Sequence, residues 1–214
     1  MPPISAVAFD VGETLIDESR VWIRHADRLG LPAFTLFALI GASIAGDRQQ
    51  DTVFDWLRPE LDIRSYLREV DALDDPDDDW QPADLYPDAR PTLAALRDRG
   101  VPVAIAGNQP PRALAALRAL HLPCDLLATS ADWGISKPDP EFFRRIAAGL
   151  GLDPAEILYV GDRLDNDIIP ARSIGMSTAL IKRGPWGWLH AHRDGGAVAD
   201  HVIAGLAEVV ALTD

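Results

Sequence analysis

Three carboxylates in this 214-residue chain stand where short apolar segments end, and together they could bind a cation. Asp10 directly follows the apolar segment 4–9. Asp162 follows the segment 157–160 after one glycine, with Asp167 five residues further on. Three carboxylates gathered at one place repel each other strongly unless a cation joins them. Oxygen ligands alone favour Mg²⁺, which prefers octahedral oxygen coordination, so these residues predict a magnesium site.

Two further polar side chains follow other apolar segments and add an amide and an ammonium group. Asn108 follows the segment 101–106, and Lys137 lies in the loop after the segment 126–129. The formal charges of three carboxylates, one lysine and one Mg²⁺ sum to zero, so such a site could accept a phosphate dianion as its ligand. The residue types therefore favour chemistry on a small phosphorylated compound.

These side chains can meet only if the apolar segments form one parallel sheet. The segments are four to six residues long, and several are apolar on both faces, as is typical of strands covered by helices. We predict strands at Ile4–Phe9, Val101–Ala106, Leu126–Thr129, Ile157–Val160 and Ser177–Ile181. Helical segments alternate with them, for example 88–99, a helix capped by Asp139, and 165–174. The alternation predicts a doubly wound α/β sheet, in which ligands bind beyond the carboxyl ends of the strands.

The interval 17–86 interrupts this alternation. It has the pattern of three or four helices without a strand, and we expect a small helical cap. An acidic run, Asp74, Asp75 and Asp77–Asp79, closes the interval. It lacks the glycine and the terminal glutamate of a calcium loop, so we interpret it as a solvated hinge or linker.

Four segments of the chain, in order, resemble the four motifs of the haloacid dehalogenase-like hydrolase superfamily. They are Phe9-Asp10-Val11-Gly12-Glu13-Thr14-Leu15, Asn108, Gly134-Ile135-Ser136-Lys137-Pro138-Asp139-Pro140 and Gly161-Asp162-Arg163-Leu164-Asp165-Asn166-Asp167. The resemblance implies a Rossmann-like core made of residues 1–16 and 87–214, with a helical cap, 17–86, inserted after the first motif.

The resemblance also implies a metal site and a nucleophile. Asp10 would attack a phosphoryl or carbon centre and form an aspartyl intermediate. Asp10 and Asp162 would bind Mg²⁺ with the backbone carbonyl of Gly12, and Asp167 would support the metal or its bound water.

The remaining implied roles concern the substrate. Thr14 and Lys137 would hold Asp10 and the transferring oxygens, and Asn108 would donate to the anionic group of the substrate. We expect Gly107 and Glu13, which neighbour these motifs, to border the substrate site as well.

Two positions depart from the family pattern. Gly12 stands where phosphatases of the family have a second aspartate that protonates the leaving oxygen, and loss of such a group typically costs about 10²–10⁴ in rate. Gly107 stands where a serine or threonine usually precedes Asn108. Three interpretations follow: the substrates are acyl or aryl phosphates that need little protonation, Glu13 supplies the proton instead, or activity is reduced.

Two other functions stay open. A 2-haloacid dehalogenase needs no acid because halide leaves unprotonated, but the segment 31–46 lacks the cap arginine of that branch, and Gly161-Asp162 is retained. A catalytically impaired binding or scaffold protein would explain the loss at both Gly12 and Gly107. Phosphonate cleavage requires a cap lysine, and the only lysines are Lys137 and Lys182.

Composition narrows the partners and the compartment. The 20 basic and 33 acidic residues give a formal net charge of −13, which disfavours nucleic acid and anionic membrane surfaces. A single cysteine, Cys124, excludes an internal disulfide. The longest apolar run, 31–46, is shorter than a membrane span, and the first residues lack the pattern of a signal peptide. We therefore expect a cytoplasmic protein that acts on a small molecule.

Overall fold

A parallel sheet of six strands carries the candidate site. The computed structural model describes residues 3–60, 62–73 and 75–213, so Asp74 of the acidic run lies outside the described residues. The strands are β1 (Ala6–Phe9), β2 (Val103–Gly107), β3 (Leu126–Thr129), β4 (Ile157–Gly161), β5 (Ser177–Ile181) and β6 (His201–Ile203). Their order is β3-β2-β1-β4-β5-β6, and every neighbouring pair is parallel. The predicted doubly wound α/β class is confirmed.

The register of the central strands places β1 between β2 and β4, with the carboxyl ends of all three at the same edge of the sheet. Phe9, the last residue of β1, pairs with Ile105 on β2 and with Val160 on β4. Strands β1, β2, β4 and β5 are fully buried, since helices cover both faces of the sheet. Asp10 and the residues that follow β2 and β4 therefore emerge at one edge of the sheet.

Helices on the two faces complete this unit. They are α5 (Ala89–Asp98), α6 (Ala113–Ala119), α7 (Ser130–Trp133), α8 (Pro140–Leu150), α9 (Ile169–Ser173), α10 (Gly184–His190), α11 (Gly196–Val198) and α12 (Ala207–Ala211). As the sequence predicts, Asp139 caps α8 by accepting a hydrogen bond from the Glu141 N–H. Phe142 and Phe143 of α8 pack edge-on against each other, and Phe143 packs against Tyr159 of β4. Alanines on β1 and β2 give these rings room to lie against the sheet.

Residues 18–80 form a second compact unit. It contains α1 (Ser19–Leu29), α2 (Ala33–Ala45), α3 (Val53–Leu57) and α4 (Ile63–Ala72), and no strand occurs among its described residues. Phe54 is fully buried and lies against Trp22, His25 and Tyr66. Among the described residues no single helix is long and apolar enough to cross a membrane, and α1 with α2 would pass such a test only as a pair bent by 112°.

The segment by which the chain returns to the sheet unit begins earlier than the predicted boundary at residue 86. The sheet unit comprises residues 1–17 and 81–214, so it includes the segment 81–86. Ile16 forms an antiparallel bridge with Leu85, and the Tyr86 N–H donates to the Leu15 carbonyl over 3.0 Å. The outgoing and returning chains are thus paired by backbone hydrogen bonds, which a sequence pattern does not reveal.

The acidic run is more ordered than a solvated linker. Arg20, Arg24 and Arg28 lie four residues apart and so share one face of α1. Arg24 and Arg28 both bind the Asp78 carboxylate, and Arg24 also binds Asp75 over 2.5 Å. Arg20 donates to two backbone carbonyls of the same segment. Three cations on one helical face therefore hold the described part of the run in a folded turn.

Candidate active site

The three carboxylates that the sequence singled out lie together in the sheet unit. Asp10, Asp162 and Asp167 are buried, and each offers an oxygen that lies within 4.8 Å of the others. Asp10 extends from the end of β1 and Asp162 from the end of β4. Asp167 lies on the π-helical turn Leu164–Ile168, which directs its side chain back toward β4. The sheet topology, with one irregular helical turn, thus brings the cluster together.

Lys137 supplies the positive charge that the cluster needs. Its Nζ donates to Asp10 Oδ1 and to Asp167 Oδ1, both over 2.6 Å, and its side chain is only 1% exposed. Burial disfavours the ammonium form, but the two carboxylates outweigh burial and raise the pKa of Lys137 well above its usual value. Lys137 is therefore a fixed cation that orients the Asp10 carboxylate.

One lysine does not neutralise three buried carboxylates. Burial raises the pKa of Asp162 well above its usual value, and the negative charges of Asp167 and Asp10 add to this effect. Burial likewise raises the pKa of Asp167 to about 6, although Lys137 opposes the shift. The cluster with Lys137 carries a formal charge of −2, and its donors are all carboxylate oxygens. Both properties fit a divalent magnesium ion.

Asp167 is held from two sides. Lys137 binds Oδ1, and the Arg163 N–H donates to Oδ2 over 3.1 Å. A Cβ at Gly161 would lie 2.5 Å from the Asp167 carboxyl carbon, so only glycine fits there. This explains the glycine before Asp162 in physical terms: the absence of a side chain lets Asp167 approach the strand.

Thr14 contributes a buried hydroxyl that has no hydrogen-bond partner among the described residues. Val11 holds this turn, because its carbonyl accepts from the N–H groups of Thr14, Leu15 and Ile16. A buried hydroxyl that lacks a partner is costly, which is the expected condition of a group that awaits a ligand. Gly12 lies half-buried in the same turn.

Gly107 lies against the expected nucleophile. A Cβ at this position would be 2.9 Å from Asp10 Oδ1 and 3.0 Å from Val11 Cγ2. The absence of a serine or threonine at this position therefore has a steric reason, because Asp10 occupies the space where that side chain would begin.

Asn108 has a role that its sequence position did not indicate. Its amide donates to the Lys137 carbonyl over 2.8 Å, and its Oδ1 accepts from the Lys137 N–H over 2.8 Å. This reciprocal pair fixes the backbone that carries the lysine. The donation to substrate expected of Asn108 stays a prediction.

Glu13 belongs to a network that the sequence analysis missed. The Tyr86 hydroxyl donates to Glu13 Oε2 over 2.6 Å, and Arg183 lies over the Tyr86 ring at 4.1 Å. Arg183 also donates to the Thr14 carbonyl over 2.8 Å and binds both oxygens of Asp88. Tyr86 and Asp88 stand together in the sequence, but Arg183 is about a hundred residues away, so no local pattern links it to them.

Comparison with known proteins places this chain in a family. A sequence model of haloacid dehalogenase-like hydrolases matches residues 4–175. The chain is 30% identical over 210 residues to a glyceraldehyde 3-phosphate phosphatase of Methanopyrus kandleri, and the aligned region covers 86% of each protein. It is 29% identical to the (S)-2-haloacid dehalogenase 4A of Burkholderia cepacia, over 84% of each. The crystal structure of a HAD phosphatase from Thermococcus onnurineus superposes with a TM-score of 0.60 at 26% identity, over 96% of each chain. The chain therefore belongs to the haloacid dehalogenase-like hydrolases.

Proposed function

We propose that this hydrolase is a Mg²⁺-dependent phosphatase that acts on a small phosphorylated metabolite through an aspartyl-phosphate intermediate on Asp10. The observation that carries the proposal is the buried cluster in which Lys137 joins Asp10 to Asp167 beside Asp162. A relative named as a phosphatase, similar over most of its length, supports it.

Asp10, Asp162 and the Gly12 carbonyl would hold the magnesium ion, with Asp167 in support. When bound, the ion supplies positive charge to the oxygens of the transferring phosphoryl group. Because Lys137 binds Asp10 Oδ1, the attacking atom in this proposal would be Oδ2. The hydroxyl of Thr14 would take a phosphoryl oxygen as its missing partner.

The reaction would proceed in two displacements. The Oδ2–phosphorus bond forms as the bond from phosphorus to the ester oxygen breaks, and that oxygen takes a proton from solvent or from a neighbouring acid. Water then attacks phosphorus, the Oδ2–phosphorus bond breaks, and phosphate and the Asp10 carboxylate are released. Because Gly12 offers no acid, we expect acyl and aryl phosphates to react faster than alkyl phosphates.

The experiment is a substrate panel with Mg²⁺: acetyl phosphate, p-nitrophenyl phosphate, an alkyl phosphate and a 2-haloacid. Phosphate release that Asp10→Asn abolishes and EDTA suppresses supports the proposal. The Asp98→Asn variant, which removes an equal charge from the exposed last turn of α5, should retain activity.

Dehalogenation is the second candidate, because Gly12 lacks the second carboxylate and a dehalogenase is among the relatives. Halide release in the presence of EDTA would favour it. A silent binding or scaffold protein is the third candidate; it predicts Mg²⁺ binding without turnover of any member of the panel.

A further inference from the structure

The π-helical turn Leu164–Ile168, which carries Asp167, needs a hydrogen-bond acceptor for its first backbone N–H. The first N–H groups of a helical turn lack acceptors within the turn, and the side chain of Arg163, which precedes it, does not cap it. The Leu164 N–H instead donates to Nδ1 of His190, 26 residues further along the chain, over 2.9 Å. His190 therefore caps the turn that carries Asp167.

This hydrogen bond defines the state of the imidazole ring. A backbone N–H can only donate, so Nδ1 of His190 is the acceptor and carries no proton. The neutral ring then has its proton on Nε2. His190 is the last residue of α10 and lies one turn after Trp186, and the two rings are 5.1 Å apart. The contact with Trp186 helps to hold the imidazole in the orientation in which Nδ1 faces the turn.

Two other residues of α10 contact the loop that follows β4. The Arg163 guanidinium lies over the Trp186 ring at 4.0 Å, a cation–π contact. The helix backbone at Gly187 packs beside Asp162, since a Cβ there would lie 3.4 Å from the Asp162 Cβ. With the histidine, these contacts join α10 to three consecutive residues, 162–164.

The capped turn also determines where Asp167 lies. The Arg163 carbonyl accepts from the N–H groups of Asp167 and Ile168, both over 3.1 Å, and the Arg163 N–H donates to Asp167 Oδ2 over 3.1 Å. The next N–H along the chain, that of Leu164, donates to His190. Because Leu164 is buried, the loss of this acceptor would favour a rearranged turn over an unpaired N–H.

We infer that His190 is a positioning residue for the magnesium site: by capping the turn, it holds Asp162 and Asp167 in the arrangement that binds the ion. The inference rests on the proposed function insofar as that function needs Mg²⁺. His190 acts through the backbone of Leu164 and is not itself a ligand of the metal. Side chains that orient metal ligands typically contribute about 10–100-fold to metal affinity.

Calorimetric titration with Mg²⁺ at pH 8 tests this role. His190→Phe keeps a ring against Trp186 and removes the acceptor, so the Kd for Mg²⁺ should rise roughly ten-fold. His190→Asn supplies a new acceptor, because the asparagine Oδ1 and the histidine Nδ1 are both attached to Cγ, and it should bind Mg²⁺ as the wild-type chain does. His192→Phe is the matched control: His192 is exposed, its Nδ1 donates to the Trp188 carbonyl within α10 over 2.8 Å, and its loss should leave the Kd unchanged.

A second measurement needs no substitution. If the His190 hydrogen bond favours Mg²⁺ binding, Mg²⁺ binding must favour the hydrogen bond by the same factor. Saturating Mg²⁺ should therefore slow hydrogen exchange of the Leu164 amide in the wild-type chain roughly ten-fold. The Ala155 amide, which donates to Asp153 at the start of another turn, serves as the reference and should be slowed less.

Equal Kd values for His190→Phe and His190→Asn overturn the inference, and so does an equal loss of affinity in His192→Phe. Equal slowing of the Leu164 and Ala155 amides also overturns it, and this measurement decides the matter if circular dichroism shows that His190→Phe is not folded. If the Kd values follow the expected order but no substrate of the panel releases phosphate, the inference holds and the proposed phosphatase function fails. A wild-type chain that binds no Mg²⁺ refutes both.

Discussion

Replacing Asp162 with asparagine keeps the shape of the side chain and removes one negative charge from the buried cluster. Asp162 is 3% exposed, and its ligand oxygen lies within 4.8 Å of those of Asp10 and Asp167. Two unit charges at 4.8 Å repel each other by about 3.5 kcal/mol at an effective dielectric constant of 20. Attraction to Lys137 offsets roughly one of the two repulsions. We therefore expect the metal-free variant to be about 3 kcal/mol more stable than the wild-type chain at pH 8.

The same buried carboxylates set the direction in which stability changes with pH. Burial raises the pKa of Asp162 well above its usual value and that of Asp167 to about 6. A carboxyl group whose pKa is raised by folding stabilises the protein below its unfolded pKa, and that stability is lost as the pH rises through the folded pKa. The metal-free wild-type chain should lose stability from about pH 4 upward. Asp162→Asn should lose less.

Urea denaturation at pH 8, in EDTA and in Mg²⁺, measures both effects. Mg²⁺ at a hundred times its Kd should raise the free energy of unfolding of the wild-type chain by about 2.7 kcal/mol. Asp162→Asn should show little of this increase, whereas the exposed Asp98→Asn should respond to Mg²⁺ as the wild-type chain does. If Asp162→Asn is less stable in EDTA and still responds fully to Mg²⁺, the charge-cluster reasoning is wrong.

Three further predictions concern packing and charge. Gly107→Ser should lower kcat at least about ten-fold, since a side chain there displaces the Asp10 carboxylate by steric overlap. This substitution restores the family pattern, so a gain of activity would contradict the prediction. Circular dichroism checks that the variant is folded. Burial, together with the positive charge of Arg28, lowers the pKa of His25 to about 4. Neutral His25 therefore contributes up to about 3 kcal/mol to the free energy of unfolding above pH 6.5, and this contribution is lost as the pH falls toward 4. NMR titration of His25 measures this pKa, and a value near 6.5 refutes the reasoning. Asp78→Asn breaks the contacts to two arginines of α1 and should lower the free energy of unfolding, measured by urea denaturation, by about 1–2 kcal/mol. The control Asp77→Asn, at an exposed position, should lower it by less than about 0.5 kcal/mol. Equal effects of the two substitutions would show that the arginine contacts are dispensable.

The sequence predicted those features that follow from strand patterning. Strands β1 to β5 are short, mostly apolar runs, and several are apolar on both faces, so their positions and the edge that carries Asp10, Asp162 and Asp167 could be inferred without a structure. Strand β6 was missed because it has three residues, begins with His201 and exposes Val202. A short strand at the margin of a sheet lacks the continuous apolar run that marks the central ones.

The contacts of Glu13 and Asn108 could not be predicted, because they join distant parts of the chain. Tyr86 is 73 residues from Glu13, and Lys137 is 29 residues from Asn108. Their identity depends on which loops the sheet order brings together. Gly107 shows a different limit: the sequence revealed a missing side chain, but only the position of Asp10 gives the reason.

The energetics of the cluster argue against the scaffold candidate. Folded domains are stable by only about 5–15 kcal/mol, and the uncompensated repulsion worked out for Asp162 is a substantial part of that. A chain that served only as a binding surface would gain stability from neutral residues at Asp10, Asp162 or Asp167. Gly161 and Gly107 also leave space for this cluster, since a Cβ at either position would collide with Asp167 or Asp10. The buried cluster thus lowers stability and requires glycine at two positions that contact it. A functional role of its charges best explains this arrangement, with Mg²⁺ supplying the missing positive charge.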